Sequence, residues 1–355
     1  MVTTSGTNQW HGAAFEYLRN SALDARNFFD RNDRDGDGKA DAAPFKRNQF
    51  GGSLGGPIIK DKMFVFGNYE GFRERLAVTS VAIVPSLQAR QGLLPNASGV
   101  YAPVSNLVPG MLPFFKYWPE PNGAEILDTK GLPTGLAYAN SNPSRKVKED
   151  FGLVRYDYNP TTRDSFSLNL TQSQGLRNNP ADDPIFVSND RRVLYTVSAQ
   201  NTHIFSPTIL NTAMFGLSHA RGQNRQVPLE AFPESLLMMT GEGKGAPGAF
   251  VFGGGATTNT PTSIAPPAGQ NLHYNQRRNY TLSDDLRITL GNHNLSIGAW
   301  FMRLRQIAFS SAQNNAGTGS YNGLLDFLQD NPVQFLAAVN PQPLTFTSNE
   351  AVVYF

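Results

Sequence analysis

Apolar and polar residues alternate along this chain in short runs that come in pairs. Val154, Tyr156 and Tyr158 alternate with Arg155 and Asp157. After Asn159 to Asp164 the pattern resumes, with Phe166, Leu168 and Leu170 against Ser165, Ser167, Asn169 and Thr171. A second pair sets Tyr280, Leu282, Leu286, Ile288 and Leu290 against Thr281, Ser283, Asp285, Arg287 and Thr289. Across Gly291 to Asn294 it continues as Leu295, Ile297, Ala299 and Phe301. Side chains on a strand point alternately to its two faces, so each run predicts a strand that is apolar on one side and polar on the other. Further strands are predicted at His11 to Asn20, with Phe15 and Tyr17 on one face, at Phe50 to Ile58 and at Lys62 to Phe72. Gly51, Gly52, Gly55 and Gly56 weaken an isolated strand but permit coiling and close backbone approach. The last residues, Ala351, Val353 and Phe355, alternate as well.

The connections are lopsided. Those at Asn159 to Asp164, Ser206 to Thr208 and Gly291 to Asn294 are tight, whereas Ser80 to Asp150, Gly222 to Gln276 and Ile307 to Asn349 are long. In a soluble sandwich the apolar faces meet a second sheet, and loops gather at both ends. Tight turns on one rim and long loops on the other, joined by segments of about 10 residues, instead describe an outer-membrane wall. The predicted class is therefore all-β: a partial antiparallel transmembrane β-barrel with long extracellular loops, built from about nine to eleven strands.

Composition narrows this further. Charged residues make up 16% of the 355, below the quarter or so usual in soluble domains. No run approaches the roughly 18 consecutive apolar residues of a spanning helix, whereas a barrel with a polar lumen needs none. Cysteine is absent, which excludes disulfides and thiolate metal sites. A net charge of +2 with scattered arginines gives no reason to expect a nucleic-acid partner. The start, MVTTSGTNQWHG, lacks the basic and apolar segments of a signal peptide, so an exported protein would carry more sequence ahead of it.

Two segments carry a resemblance. VTTSGTNQWHGAAFEYLRNSALDARNFFD and PFKRNQFGGSLGGPIIKDKMFVFGNYEGFR resemble the junction of plug and barrel in TonB-dependent outer-membrane transporters of the Oar-like group. In that group the plug ends in a strand like Val2 to Asn8 and the barrel opens at a His-Gly like His11 and Gly12. Thr4 stands where a lysine is usual, and Trp10 where a phenylalanine is. The likeness is dense over about the first 75 residues and then rests on hairpin rhythm and phrases such as KEDFGLVRYDYNPTTRDSFSLNL. It implies that residues 1–10 are the end of a plug and residues 11–355 the first part of a barrel of about twice as many strands. It also implies active transport energised through TonB, whose complex would act on the plug, and an extracellular ligand such as a glycan, a peptide, chelated iron or a protein. Outer-membrane lipid is the expected surround.

The sharpest chemical motif is DRDGDGKAD. Asp33, Asp35, Asp37, the Lys39 carbonyl and Asp41 stand at positions one, three, five, seven and nine of a calcium loop, and Gly38 occupies position six. Pro44 replaces the usual bidentate glutamate at position twelve, so calcium is a possible stiffener of a surface loop, and no cofactor is required. GEGKGAPG, Gly241 to Gly248, lacks the GK-Ser/Thr and the strand–helix setting of a phosphate loop. His11, His203, His219, His273 and His293 have no ligand spacing, and no GxSxG elbow occurs. Asp182 and Asp183, and Asp284 and Asp285, are adjacent pairs, and neighbours on a strand face opposite ways. Asp285 and Arg287 are expected in a watery interior and Asp284 at a strand irregularity. No enzyme activity is expected.

Three loop features remain. The aromatics of FFKYWPEPNG, Phe114 to Gly123, either meet an external ligand or pack over the barrel mouth. Leu229 to Gly269 is low in complexity. Asn322 to Val339 has helical spacing at Leu324, Leu325, Leu328 and Phe335, broken at Pro332. Two other readings compete with transport: a surface adhesin or structural outer-membrane barrel, and a soluble β-rich carbohydrate-binding or hydrolytic protein.

Overall fold

The structure, a computed structural model, describes residues 5–25, 38, 44–78, 80–180, 185–239, 248–253, 260–263, 272–309, 316–338 and 342–355. Ten antiparallel strands form one sheet: β1 His11–Asn20, β2 Phe45–Ile59, β3 Met63–Ala77, β4 Ser144–Tyr158, β5 Asp164–Pro180, β6 Phe186–Ser206, β7 Ile209–Pro228, β8 Leu272–Leu290, β9 His293–Phe309 and β10 Leu344–Tyr354. Each pairs with the strands before and after it in this series, and among the described residues β1 and β10 do not pair with each other, so the sheet is open. No helix of the described residues is long and apolar enough to cross a membrane.

Register makes the two faces continuous across the sheet. Val65, Tyr156, Leu168, Ala199, Phe215, Leu282, Phe301 and Ala351 lie opposite one another in a single cross-strand row. The row one residue away, on the other face, reads Phe66, Arg155, Asn169, Ser198, Gly216, Thr281, Met302 and Glu350. A slip of one residue anywhere would exchange the faces, so the apolar pattern itself sets the register. Among the described residues the apolar face has no second layer over it: Leu282 is 53% exposed, Ile297 47% and Leu170 42%. A soluble sandwich would bury these side chains, and an apolar surface of this extent needs an apolar solvent. The reading as a soluble protein fails on this point.

Most strands run well past the expected 10 residues, up to the 21 of β6, because pairing continues beyond the apolar belt toward the long-loop rim. There the long loops fold together. Ser80–Pro85, Pro133–Ser141 and Glu125–Leu127 form one small sheet. Ala249–Phe252 pairs in parallel with Thr318–Tyr321, which also pairs with Gln334–Leu336. Phe115, Tyr117 and Trp118 of the first loop, Phe250 and Phe252 of the second and Tyr321 and Phe327 of the third share one buried core with Phe186 of β6. The Trp118 indole ring stacks on Phe250 at 5.7 Å and meets Phe327 edge-on at 5.6 Å. Trp118 Nε1 donates to the Thr262 carbonyl at 2.9 Å, and Tyr117 Oη to that of Leu236 at 2.7 Å. Arg90 ties the first loop internally, donating to the carbonyls of Phe115 (3.0 Å) and Trp118 (3.1 Å) and to that of Pro119. The FFKYWPEPNG aromatics are thus packed over the mouth, where Phe115, Tyr117 and Trp118 are buried and cannot meet a ligand. The helix of the third loop is shorter than its spacing predicts, Leu324–Leu328: Asp330 turns into the left-handed region at φ 48°, and Pro332, which has no N–H to donate, keeps the helix from resuming before Phe335, which lies in a strand.

Burial raises the Tyr321 phenol from the usual 10.0 to about 12, helped by the nearby Asp330 charge, and pushes Tyr117 up as well. A phenol that ionises less readily when folded favours the folded cap at all pH values below its ordinary pKa, and that contribution disappears as pH rises through the folded value. Heating or protease digestion should therefore find the cap unchanged up to about pH 10 and loosened toward pH 12. Phenolate absorbance rising for all tyrosines at the ordinary pKa, with the cap still intact, would contradict this.

Candidate functional site

The polar face of β1 to β5 is the candidate site. At the level of the short turns, Arg155 and Asp157 form an ion pair at 2.8 Å on β4. The amino-terminal segment comes to rest on the same spot, where Ser5 Oγ donates to Asp157 Oδ2 at 2.6 Å. Gly6 is pressed so close that a Cβ would stand 2.8 Å from the Val65 carbonyl oxygen. From there the chain passes to the other face, and the Trp10 ring covers Gly56, which has no side chain to obstruct it. The freedom expected of the β2 glycines is used here to admit an aromatic ring.

Toward the long-loop rim the same polar face carries a denser cluster. Glu74, only 5% exposed, accepts from Arg47 Nη2 at 2.5 Å and from Arg145 Nη2 at 3.1 Å. The Arg47 guanidinium also lies over the rings of Phe45 (5.1 Å) and Phe72 (5.5 Å), and Arg19 over Phe45 at 5.1 Å. A buried carboxylate is tolerated here because two guanidinium groups neutralise it. The surplus positive charge and the aromatic faces make a surface suited to anionic or π-rich groups passing the mouth. Further round, Arg177 pairs with Asp190 at 2.5 Å. None of these contacts was legible beforehand, since Arg47, Glu74 and Arg145 lie outside the runs read as strands.

The other expected residues fall as follows. Asp33, Asp35, Asp37, Lys39 and Asp41 lie outside the described residues, as do 241–247 of the glycine-rich stretch and the pair Asp182 and Asp183. Among the described residues no group of three or more His, Asp or Glu side chains is placed to hold a metal. Asp285 faces the lumen and accepts from the Tyr354 hydroxyl. Asp284 departs from expectation: β8 keeps unbroken register through it, and it points out among Ala213 and Ala299. Asn211 Nδ2 donates to its Oδ1 at 2.9 Å, which gives this acid a local partner in place of a bulge. His203 Nδ1 lies 2.6 Å from Asp164 Oδ1 at the short-turn rim, and His219 stacks on Tyr195.

A family profile described as "Outer membrane beta barrel domain" matches residues 2–355. Among solved structures the chain is similar to the outer membrane transporter YddB from Escherichia coli, at 11% identity and a TM-score of 0.49 over 98% of this chain and 37% of that one. It is also similar to the siderophore receptor PiuA from Acinetobacter baumannii, at 11% identity and a TM-score of 0.37 over 98% of this chain and 45% of that one. For the closed form of the ferric-catecholate import receptor Fiu from E. coli K12, the identity is 9% and the TM-score 0.39, over 96% of this chain and 43% of that one. The chain therefore spans less than half the length of these structures. No curated protein matches it. With a belt of exposed apolar side chains around ten paired strands, and the family profile matched over nearly its whole length, the chain belongs to the outer membrane β-barrel domain family and resides in the outer membrane.

Proposed function

We propose that this chain is part of the wall of an outer-membrane transporter, with residues 1–10 as the end of a plug and residues 11–355 as the first part of the barrel. In this reading an external ligand passes beneath the folded cap and along the charged lumenal face, and the plug is worked by TonB. The observation that carries it is the amino-terminal segment on the polar face, held through Ser5 and Asp157. A chain entering along the lumen is what a plugged pore requires and what an adhesin does not. The resemblance of the first 75 residues to plug–barrel junctions supports the same reading. The ligand class stays broad, from glycans and peptides to chelated iron and proteins.

The test is uptake by cells carrying the protein in its native reading frame, compared with cells lacking it, using labelled oligosaccharides, peptides and iron chelates. Accumulation that collapses with a protonophore supports energised transport. Surface binding of a probe with no protonophore-sensitive entry would overturn it in favour of an adhesin, the alternative that a rigid external cap favours.

A further inference from the structure

On β2, β3 and β4 the outward face changes character beyond the apolar belt. Val65, Gly67 and Tyr69 of β3 give way, at the same parity, to Arg73 and Arg75. In register, Lys46 stands opposite Arg75, and Arg75 opposite Lys146. One row closer to the belt are Arg73 and Lys148, opposite each other. Asp150 attends to that row, 2.6 Å from Arg73 and 3.6 Å from Lys148. No ion pair forms at Lys46, Arg75 or Lys146 among the described residues, and all three are exposed. Glu74, next in sequence to Arg75, faces the lumen and is taken by Arg47 and Arg145. Like charges directly opposite one another destabilise a sheet, so this row costs stability unless an anion lies across it. The cations border a recess of about 500 Å³ closed at its sides by Leu18 and Leu176.

Height identifies the anion. Tyr69 and Tyr195 mark the upper edge of the belt, where aromatic side chains meet the membrane interface. At about 3.3 Å per residue and a strand tilt of about 40°, Arg73 and Arg75 stand roughly 10 to 15 Å above Tyr69. The polar layer of an ordinary phospholipid leaflet is only about 5 to 8 Å deep. A small headgroup falls short, whereas a phosphorylated saccharide reaches. We propose that this recess binds the phosphorylated saccharide headgroup of an outer-leaflet glycolipid, with Lys46, Arg75 and Lys146 on its phosphates and its acyl chains along the belt below. The inference needs only the barrel's seat in the membrane and is independent of what, if anything, it transports.

The protein expressed in its native reading frame and held in neutral detergent, titrated with a bis-phosphorylated glucosamine-disaccharide lipid and followed by native mass spectrometry, provides the test. The expected result is one bound lipid. Combining Lys46→Ala, Arg75→Ala and Lys146→Ala should weaken it roughly a hundredfold, at about a factor of five per charge. Lys146→Arg should bind as well as the parent, and Arg221→Ala, elsewhere on the outward face, should change nothing. Heat-modifiable gel migration checks that each variant is folded. Equal binding by the triple variant, equal binding of the dephosphorylated lipid, or displacement by an equimolar amount of inorganic phosphate would each overturn the proposal.

Discussion

Trp118→Ala should cost the folded cap about 3 to 5 kcal/mol, the range for removing a large aromatic side chain from a packed core. Trp118 is 2% exposed, touches Phe115, Phe250, Phe252 and Phe327, and holds the Thr262 carbonyl through its indole nitrogen. Truncation therefore leaves both a cavity and an orphaned acceptor. Hydrogen exchange and limited proteolysis should show protection lost in all three long loops together, at residues 80–139, 229–239, 248–253 and 316–338, while the ten strands keep theirs. Loss confined to the first loop would mean that the shared core does not hold the three loops as a unit.

Leu168→Arg should cost about 2 to 4 kcal/mol if Leu168 sits near the bilayer midplane. Its neighbours in register are Tyr156 and Ala199, both on the lipid face, so a guanidinium there has only acyl chains around it. Asn169→Arg, one residue on, points into the lumen beside Arg155 and Ser198 and should be tolerated. Reversible urea unfolding of the complete barrel, in its native reading frame and folded into vesicles, measures both. The opposite order of stabilities would invert the assignment of the faces.

The wall was legible in the sequence where lipid imposes a rule. Phe166 to Leu170 and Tyr280 to Leu290 alternate because one face must be apolar, and the tight turns at Asn159 to Asp164 and Gly291 to Asn294 fall between paired strands. Beyond the belt that rule lapses. Lys146, Lys148, Arg73 and Arg75 lie on one face of paired strands, yet water or charged groups on both sides leave no period-two signal. Strand and loop then look alike, which is why β4 was expected to begin near Asp150 and begins at Ser144. The Glu74 cluster was hidden for the same reason. The cap was illegible for a different one: Phe115, Phe250 and Phe327 are brought together from segments more than 70 residues apart, and no local pattern encodes such a meeting. At Asp284 the alternation misled, since a carboxylate on the greasy side reads as an interruption and is in fact tethered by Asn211.

The interlocked rings over the mouth limit how the entrance can move. Interiors packed this closely switch between discrete arrangements and do not deform gradually. Sliding one excursion outward alone would strand Phe327 or Phe250 against water and break the Val108 to Leu328 backbone link of 3.0 Å. Any displacement of the cap would therefore have to carry all three excursions together and lift them off Phe186 of β6, which packs on Tyr117 and Phe232 in the same core.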